Sequence, residues 1–246
     1  MASDSVTTVL ELPPIAGNPR NSEGDFVELA DGRWLFVYTH FEGGAGDHAA
    51  AHLAGRFSED AGKTWTHEDH VVLPNEGGMN VMSVSLLRLQ DERIALVYLR
   101  KNSLVDCKPF VRFSDDETAT WSDPVPIITA GEPGYYVVNN DRVIQLASGR
   151  LVVPAALHSA SGGNAKIDPD DTVFSPYGQV TCHLSDDGGQ TWHSGDRVLV
   201  EARPNGKRVM VQEPGVVALQ DGRLMMFCRT DAGSQYIAYS RDEGES

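Results

Sequence analysis

Four stretches of the chain alternate in the same way, an apolar run, a short polar turn and a second apolar run: FVELADGRWLFVYTHF (26–41), VSLLRLQDERIALVYLRK (84–101), RVIQLASGRLVVPAALH (142–158) and VVALQDGRLMMFCRT (216–230). The turns Asp31-Gly32-Arg33, Asp91-Glu92-Arg93, Ser148-Gly149-Arg150 and Asp221-Gly222-Arg223 break the runs where a hairpin must reverse. A third short run follows each hairpin, as in AHLAGRFS, KPFVRFS, GQVTCHLS and QYIAYS. No stretch sustains a helical period, so the chain is predicted to be almost entirely β.

The third run always opens into one kind of turn. SEDAGKTW (58–65) and SDDGGQTW (185–192) are complete copies, SDDETATW (114–121) is altered, and SRDEGES (240–246) lacks the final Trp. The central Asp can bond the backbone N–H groups of its own turn, and a Gly two positions on supplies a positive φ. The second copy places Thr118 at that Gly position and is predicted to be the most strained. Fourfold repetition gives these Asp residues a structural role, because catalysis seldom needs one group four times.

Apolar residues after each Asp turn supply a fourth strand. Four antiparallel strands per unit is the blade of a β-propeller, and the opening serines at 58, 114, 185 and 240 step by 56, 71 and 55 residues. The long step holds an insertion rich in Gly, Ser, Asp and Pro (156–178), expected to be an extended surface loop. The whole of 1–246 is expected to be one propeller domain.

Composition narrows the partners. Thirty-five acidic against 20 basic side chains give a net charge of −15, which argues against nucleic acid and anionic membrane as partners. A group of Arg inside a cleft can still hold a small anion, since salt screens distant charges over roughly 10 Å. No apolar run is long enough for a membrane span. The three Cys, 107, 182 and 228, lie in apolar, strand-like contexts that suit buried thiols. The N-terminus shows no basic segment before an apolar core, so no export signal is expected and a native start would place the protein in the cytoplasm.

Counting nine residues back from each hairpin turn reaches Glu23, Ser83, Asn140 and Glu213. Polar groups at the same end of every innermost strand would ring the central funnel, or else simply mark strand entry. Neighbouring polar groups, Asn139, Asp141 and Arg142, can bind sugar hydroxyls or end a strand through local backbone bonds. Tyr135 and Tyr136 can stack on a sugar or pack in a core. No metal site and no cofactor are expected: His48 and His52, the group His67, Glu68, Asp69 and His70, and the acids Asp168, Asp170 and Asp171 lack a regular ligand spacing.

The pattern S-x-D-x-G-x-T-W is that of the Asp box, or bacterial neuraminidase repeat, and the chain resembles the sialidase (neuraminidase) superfamily of six-bladed propellers from about residue 18 onward. The resemblance implies that about four of six blades are present, that roughly 100 further residues would complete the ring, and that this piece alone is inactive. It implies hydrolysis of a terminal sialic acid or related acidic sugar from a glycan by a nucleophilic Tyr, which with a third Arg would lie beyond Ser246. The segment VQEPGVVALQDGRLMMFCRT resembles the family's strand pair in which a Glu activates that Tyr and an Arg grips the substrate carboxylate. Glu213 is then the general base and Arg229 a carboxylate ligand. Arg20 matches the first Arg by position, although the family's Arg-Ile-Pro is absent. Asp47, in the loop FEGGAGDHAAAH, stands where the family has its acid, with a pKa expected to be raised; Glu42, His48 and Asp25 are its rivals. Glu23, Asn140, Asp141 and Arg142 join the substrate-binding set. The alternative is a non-catalytic carbohydrate-binding or scaffold propeller, and the sequence sets no oligomeric state.

Overall fold

The computed structural model describes residues 7–128, 134–158 and 175–246, and all its regular structure is β, with no helix among the described residues. The first unit is a four-stranded antiparallel sheet in chain order, β1 (Arg20–Glu28), β2 (Trp34–Phe41), β3 (Ala51–Ser58) and β4 (His70–Leu73). The second unit repeats it with β5 (Asn80–Arg88), β6 (Ile94–Ser103), β7 (Asp106–Ser114) and a two-residue β8 (Val125–Pro126). In the third unit the first strand is split into β9 (Gly134–Val137) and β10 (Ile144–Gln145), both pairing with β11 (Leu151–His158), which is followed by β12 (Gln179–Ser185) and β13 (His193–Ser194). The last unit has three strands, β14 (Val211–Ala218), β15 (Leu224–Thr230) and β16 (Tyr236–Ser240). A short parallel pairing of β7 with β9 joins the second and third units into one nine-stranded sheet. Most of the 156–178 insertion, with Asp168, Asp170 and Asp171, lies outside the described residues.

The alternation seen in the sequence decides which faces meet. In β2, Leu35 and Val37 turn toward the second unit, where they share a core with Val81, Val84, Leu96 and Tyr98. A second core lies between the second and third units, and a third between the last two. All three thiols, Cys107, Cys182 and Cys228, are free and buried.

The hairpin turns need a left-handed residue, and Gly32, Gly149 and Gly222 supply it at φ 85°, 94° and 83°, while the second unit uses Glu92 at 71°. The Asp turns close as their chemistry requires. In the first, Ser58 Oγ accepts from the Gly62 N–H at 2.8 Å, Asp60 accepts from both the Thr64 N–H and its hydroxyl, and the Trp65 indole donates to the Gly62 carbonyl at 3.1 Å. Backbone and hydroxyl donors from Thr64 hold Asp60 down to about 2. Ser246 takes the Thr position in the fourth copy, bonding Asp242 through its N–H and its hydroxyl.

These turns also stitch one unit to the one before. Glu117 of the second turn accepts from the Ala30 N–H in the first hairpin, Gly188 of the third from Arg93 in the second hairpin, and Glu243 of the fourth from Ser148 in the third hairpin. The repeated Asp motif therefore joins neighbouring units at the hairpin-turn ends of their strands, opposite the strand heads.

Candidate functional site

Each first strand is broken near its head. The β1–β2 ladder slips between Ser22 and Asp25, β5–β6 between Met82 and Ser85, and β14–β15 between Gln212 and Gly215. The residue in each slip takes a positive φ without being Gly: Glu23 at 56°, Ser83 at 60° and Glu213 at 52°. Such a conformation costs about 1–3 kcal/mol and collects at functional sites. The bulges turn the polar heads of the first, second and fourth units onto a cavity of about 280 Å³.

That cavity is bordered by Glu23, Asp47, Ser83, Lys101, Asn139, His158, Glu213 and Arg229, with Tyr135, Met82, Leu99 and Val137 as its apolar wall. The structure thus brings together seven of the residues singled out in the sequence, Glu23, Asp47, Ser83, Tyr135, Asn139, Glu213 and Arg229. Arg229 Nη1 donates to Glu213 Oε1 at 2.6 Å across the β14–β15 pair, and both side chains are exposed enough to reach a ligand. Glu23 Oε2 accepts from the Ser83 hydroxyl at 3.2 Å. Arg20 stands at the rim, its guanidinium over the Phe41 ring and its Nη1 paired with Asp47 Oδ1 and the Ala45 carbonyl.

The carboxylates are driven apart in acidity. Burial pushes Glu23 up; the Ser83 hydroxyl, Arg20 and Lys101 only partly offset it, and the charge of Asp47 adds to it. Burial also acts on Asp47, but the hydrogen bond and charge of Arg20, with help from Lys101 and His48, outweigh it and hold that carboxyl below its ordinary range. The raised pKa expected of Asp47 therefore falls instead on Glu23, because the loop places Asp47 against a guanidinium.

Three expected members of the set face elsewhere. Asn140 donates to the Gly24 carbonyl at 3.1 Å, the Asp141 N–H donates to the Val84 carbonyl, and Arg142 lies over the Phe227 ring. The left-handed residue of the third unit is Asp141, at φ 51°, one position later than the count from the turn gives, and Asn139, not Asn140, borders the cavity. Asn139 Oδ1 is shielded and has no hydrogen-bond partner among the described residues. Asp25, a rival for the acid, is buried at the joint with β5, accepting the Leu86 N–H at 2.8 Å.

Lys101 and His158 were not singled out in the sequence. Lys101 is 1 % exposed and donates to the Asp47 carbonyl at 2.7 Å, with its ammonium 5.4 Å from the Tyr135 ring. Its signal was its place on the apolar parity of β6, after Ala95, Val97 and Leu99. His158 is buried at the end of β11, bonded to the Ser175 carbonyl at 2.9 Å. Other clefts are larger: about 530 Å³ beside Phe26, Phe36 and Trp65, about 360 Å³ beside Cys182, Met226 and Tyr239, and about 990 Å³ along 199–205. None of them gathers opposed charges around more than one strained strand head as the smaller one does.

The model of the BNR repeat-like domain matches residues 41–246. The chain belongs to that family. Solved structures share its fold: a protein of unknown function from Dyadobacter fermentans (TM-score 0.72, 18% identity, 94% of this chain and 68% of that one), a Hadza microbial sialidase (0.67, 19%, 94% and 46%) and the NanB sialidase of Streptococcus pneumoniae (0.68, 15%, 98% and 52%). A Trypanosoma rangeli sialidase bound to 2,3-difluorosialic acid as a covalent intermediate is similar over 93% of this chain and 37% of its own length (TM-score 0.66, 15% identity). This BNR repeat-like chain thus spans about half the length of the two bacterial and microbial sialidases and less of the trypanosomal one.

Proposed function

We propose that the cavity at the bulged strand heads binds the terminal acidic sugar of a glycan and serves a sialidase-like glycoside hydrolase, the repeated units being successive blades of a propeller. The observation that carries this reading is the meeting of Glu213 and Arg229 with Glu23 and Asp47 around one cavity. Arg229 offers parallel donors to a sugar carboxylate, and Glu213 beside it can accept the proton of an attacking hydroxyl.

Arg20 gives the site a response to its ligand. A sugar carboxylate that recruits the Arg20 guanidinium takes it from Asp47. The Asp47 carboxyl, which is exposed at the cavity, then loses the partner that holds its pKa down, and its pKa rises, which favours proton donation to the glycosidic oxygen. Glu23, raised by burial, is the second candidate for that proton.

A binding protein without turnover is the other reading, and it is favoured by the internal pairing of both Arg with acids of the cavity. A fluorogenic sialoside assay on the protein carrying this chain separates the two. The hydrolase reading expects turnover that falls by at least about 100-fold in Glu213→Ala and in Asp47→Ala. Binding of sialoside without turnover, weakened by Arg229→Ala, supports the second reading; neither turnover nor binding of any acidic glycoside sinks both.

A further inference from the structure

On the face of the first unit that turns away from the second, His40 of β2 and His52 of β3 stand directly opposite in the ladder, their rings stacked with centroids 4.6 Å apart. Glu42, one residue past β2, reaches back so that its Oε1 lies 2.9 Å from His52 Nδ1. One ligand atom from each of the three lies within 4.8 Å of those of the other two. His40 Nδ1 is shielded from solvent, sits 3.3 Å from Asp69 Oδ2, and completes no hydrogen bond with a described residue. Asp69 is itself held by the Tyr38 hydroxyl and by Arg56 Nε, both at 2.6 Å.

The second unit shows what this register ordinarily carries. The residues opposed in β6 and β7 at the same distances from the hairpin turn and the Asp turn are Arg100 and Lys108. Arg100 covers the Phe110 ring and approaches Glu76, and Lys108 pairs with Asp106 at 3.2 Å. There, permanent cations balance the neighbouring acids. The first unit has acids of its own, Glu42 and Asp69, but carries imidazoles in place of both cations, and imidazoles offer lone pairs when neutral. Two imidazoles and a carboxylate converging at this spacing are the donor set of a divalent transition metal.

We infer that His40, His52 and Glu42 bind a divalent metal ion of the zinc class. Asp69, against the other side of His40, orients that ring or completes the coordination. Glu42 and His52 flank the two ends of the 42–50 loop that carries Asp47, so the ion clasps that loop at its base. The site was not expected from the sequence, where His48 and His52 formed the nearest pair; His48 is not part of the cluster.

The test is calorimetric titration of the full chain, stripped with a chelator, with zinc chloride, and of the same protein with cobalt chloride followed by visible absorption. The expected result is saturation at one ion per chain, with cobalt bands in the visible. His48→Ala should leave both unchanged, Glu42→Gln should weaken binding by at least about tenfold, and the double variant His40→Ala, His52→Ala should abolish it. Because Glu42 is exposed, Glu42→Gln keeps the fold and the test does not depend on the double variant folding. Uptake that does not saturate at one ion, or that is the same in wild type and Glu42→Gln, overturns the inference. None of these readouts depends on glycosidase activity.

Discussion

At four equivalent registers the first and second units make different choices on one framework. Where the first places Phe41, His40, Asp25 and Gly62, the second places Lys101, Arg100, Ser85 and Thr118. The framework survives all four exchanges: both units keep the bulge at the strand head, the Asp turn, and a buried Tyr bonded to an acid that also takes an Arg, Tyr38 with Asp69 and Arg56, Tyr98 with Glu76 and Arg112. The backbone is therefore set by what the units share. The chemistry of each unit is set at the few registers where they differ, and each difference can be tested by exchanging the residues.

The largest effect is expected at the register of Phe41 and Lys101. Both side chains are fully buried, but one fills space and the other also holds the Asp47 carbonyl and faces Glu23 and Asp47, two of the three acids of the cavity. Lys101→Ala should cost about 3–5 kcal/mol in urea denaturation, and Phe41→Ala about the same. Lys101→Met separates the causes. It restores most of the volume yet should remain about 1.5–3 kcal/mol below wild type for the lost charge-assisted bond. It should also move Glu23 further up, since Lys101 is one of the charges that restrain it. A Lys101→Met protein of wild-type stability, with the Glu23 carboxyl titrating unchanged by NMR, would make the ammonium mere filling.

These registers also show what the sequence could reveal. Period-two alternation, the hairpin turns and the Asp motif are local, so the strands and three of the strand heads, Glu23, Ser83 and Glu213, follow from counting. The count slips in the third unit, where the first strand is split between β9 and β10: the left-handed residue is Asp141, and the residue at the cavity is Asn139. Lys101 carried a local signal, a charge on the buried parity, but a charge near a strand end reads as solvated until the loop that covers it is known. The acidity of Asp47 depends on Arg20 reaching across the rim, and the pairing of His40 with His52 depends on ladder register. Neither leaves a trace in spacing along the chain.

The joint between units supplies the next test. Asp25 accepts the Leu86 N–H of the second unit, while Ser85 at the same register accepts the Arg142 N–H of the third. Burial pushes Asp25 up from 3.8 to about 6 against the two backbone donors that favour its charge. A group raised on folding contributes its full stability below its unfolded pKa and loses it as pH rises through the folded value. The native state therefore gives up about 3 kcal/mol as pH climbs from below 3.8 to above about 6. Asp25→Ser copies the second unit and removes the titration. The stability of wild type relative to this variant should fall by about 2–3 kcal/mol between pH 4 and 7.5, and a constant difference across that range would remove Asp25 as the titrating joint.

The smallest effect is expected in the Asp turns. Gly62 takes φ 81° in the first, and in the second Thr118 is held at 71° by its N–H bond to Ser114 Oγ at 2.8 Å. A β-branched residue there is strained by about 1–3 kcal/mol, part of which Gly would return as unfolded-state entropy. Thr118→Gly should therefore stabilise by about 0.5–1 kcal/mol. Gly62→Thr should destabilise by more than that gain, because a Cβ at 62 would meet the Trp34 ring at 3.3 Å as well as the unfavourable φ. If the two exchanges had equal and opposite effects, backbone strain alone would set the difference between the turns and the Trp34 contact would contribute nothing.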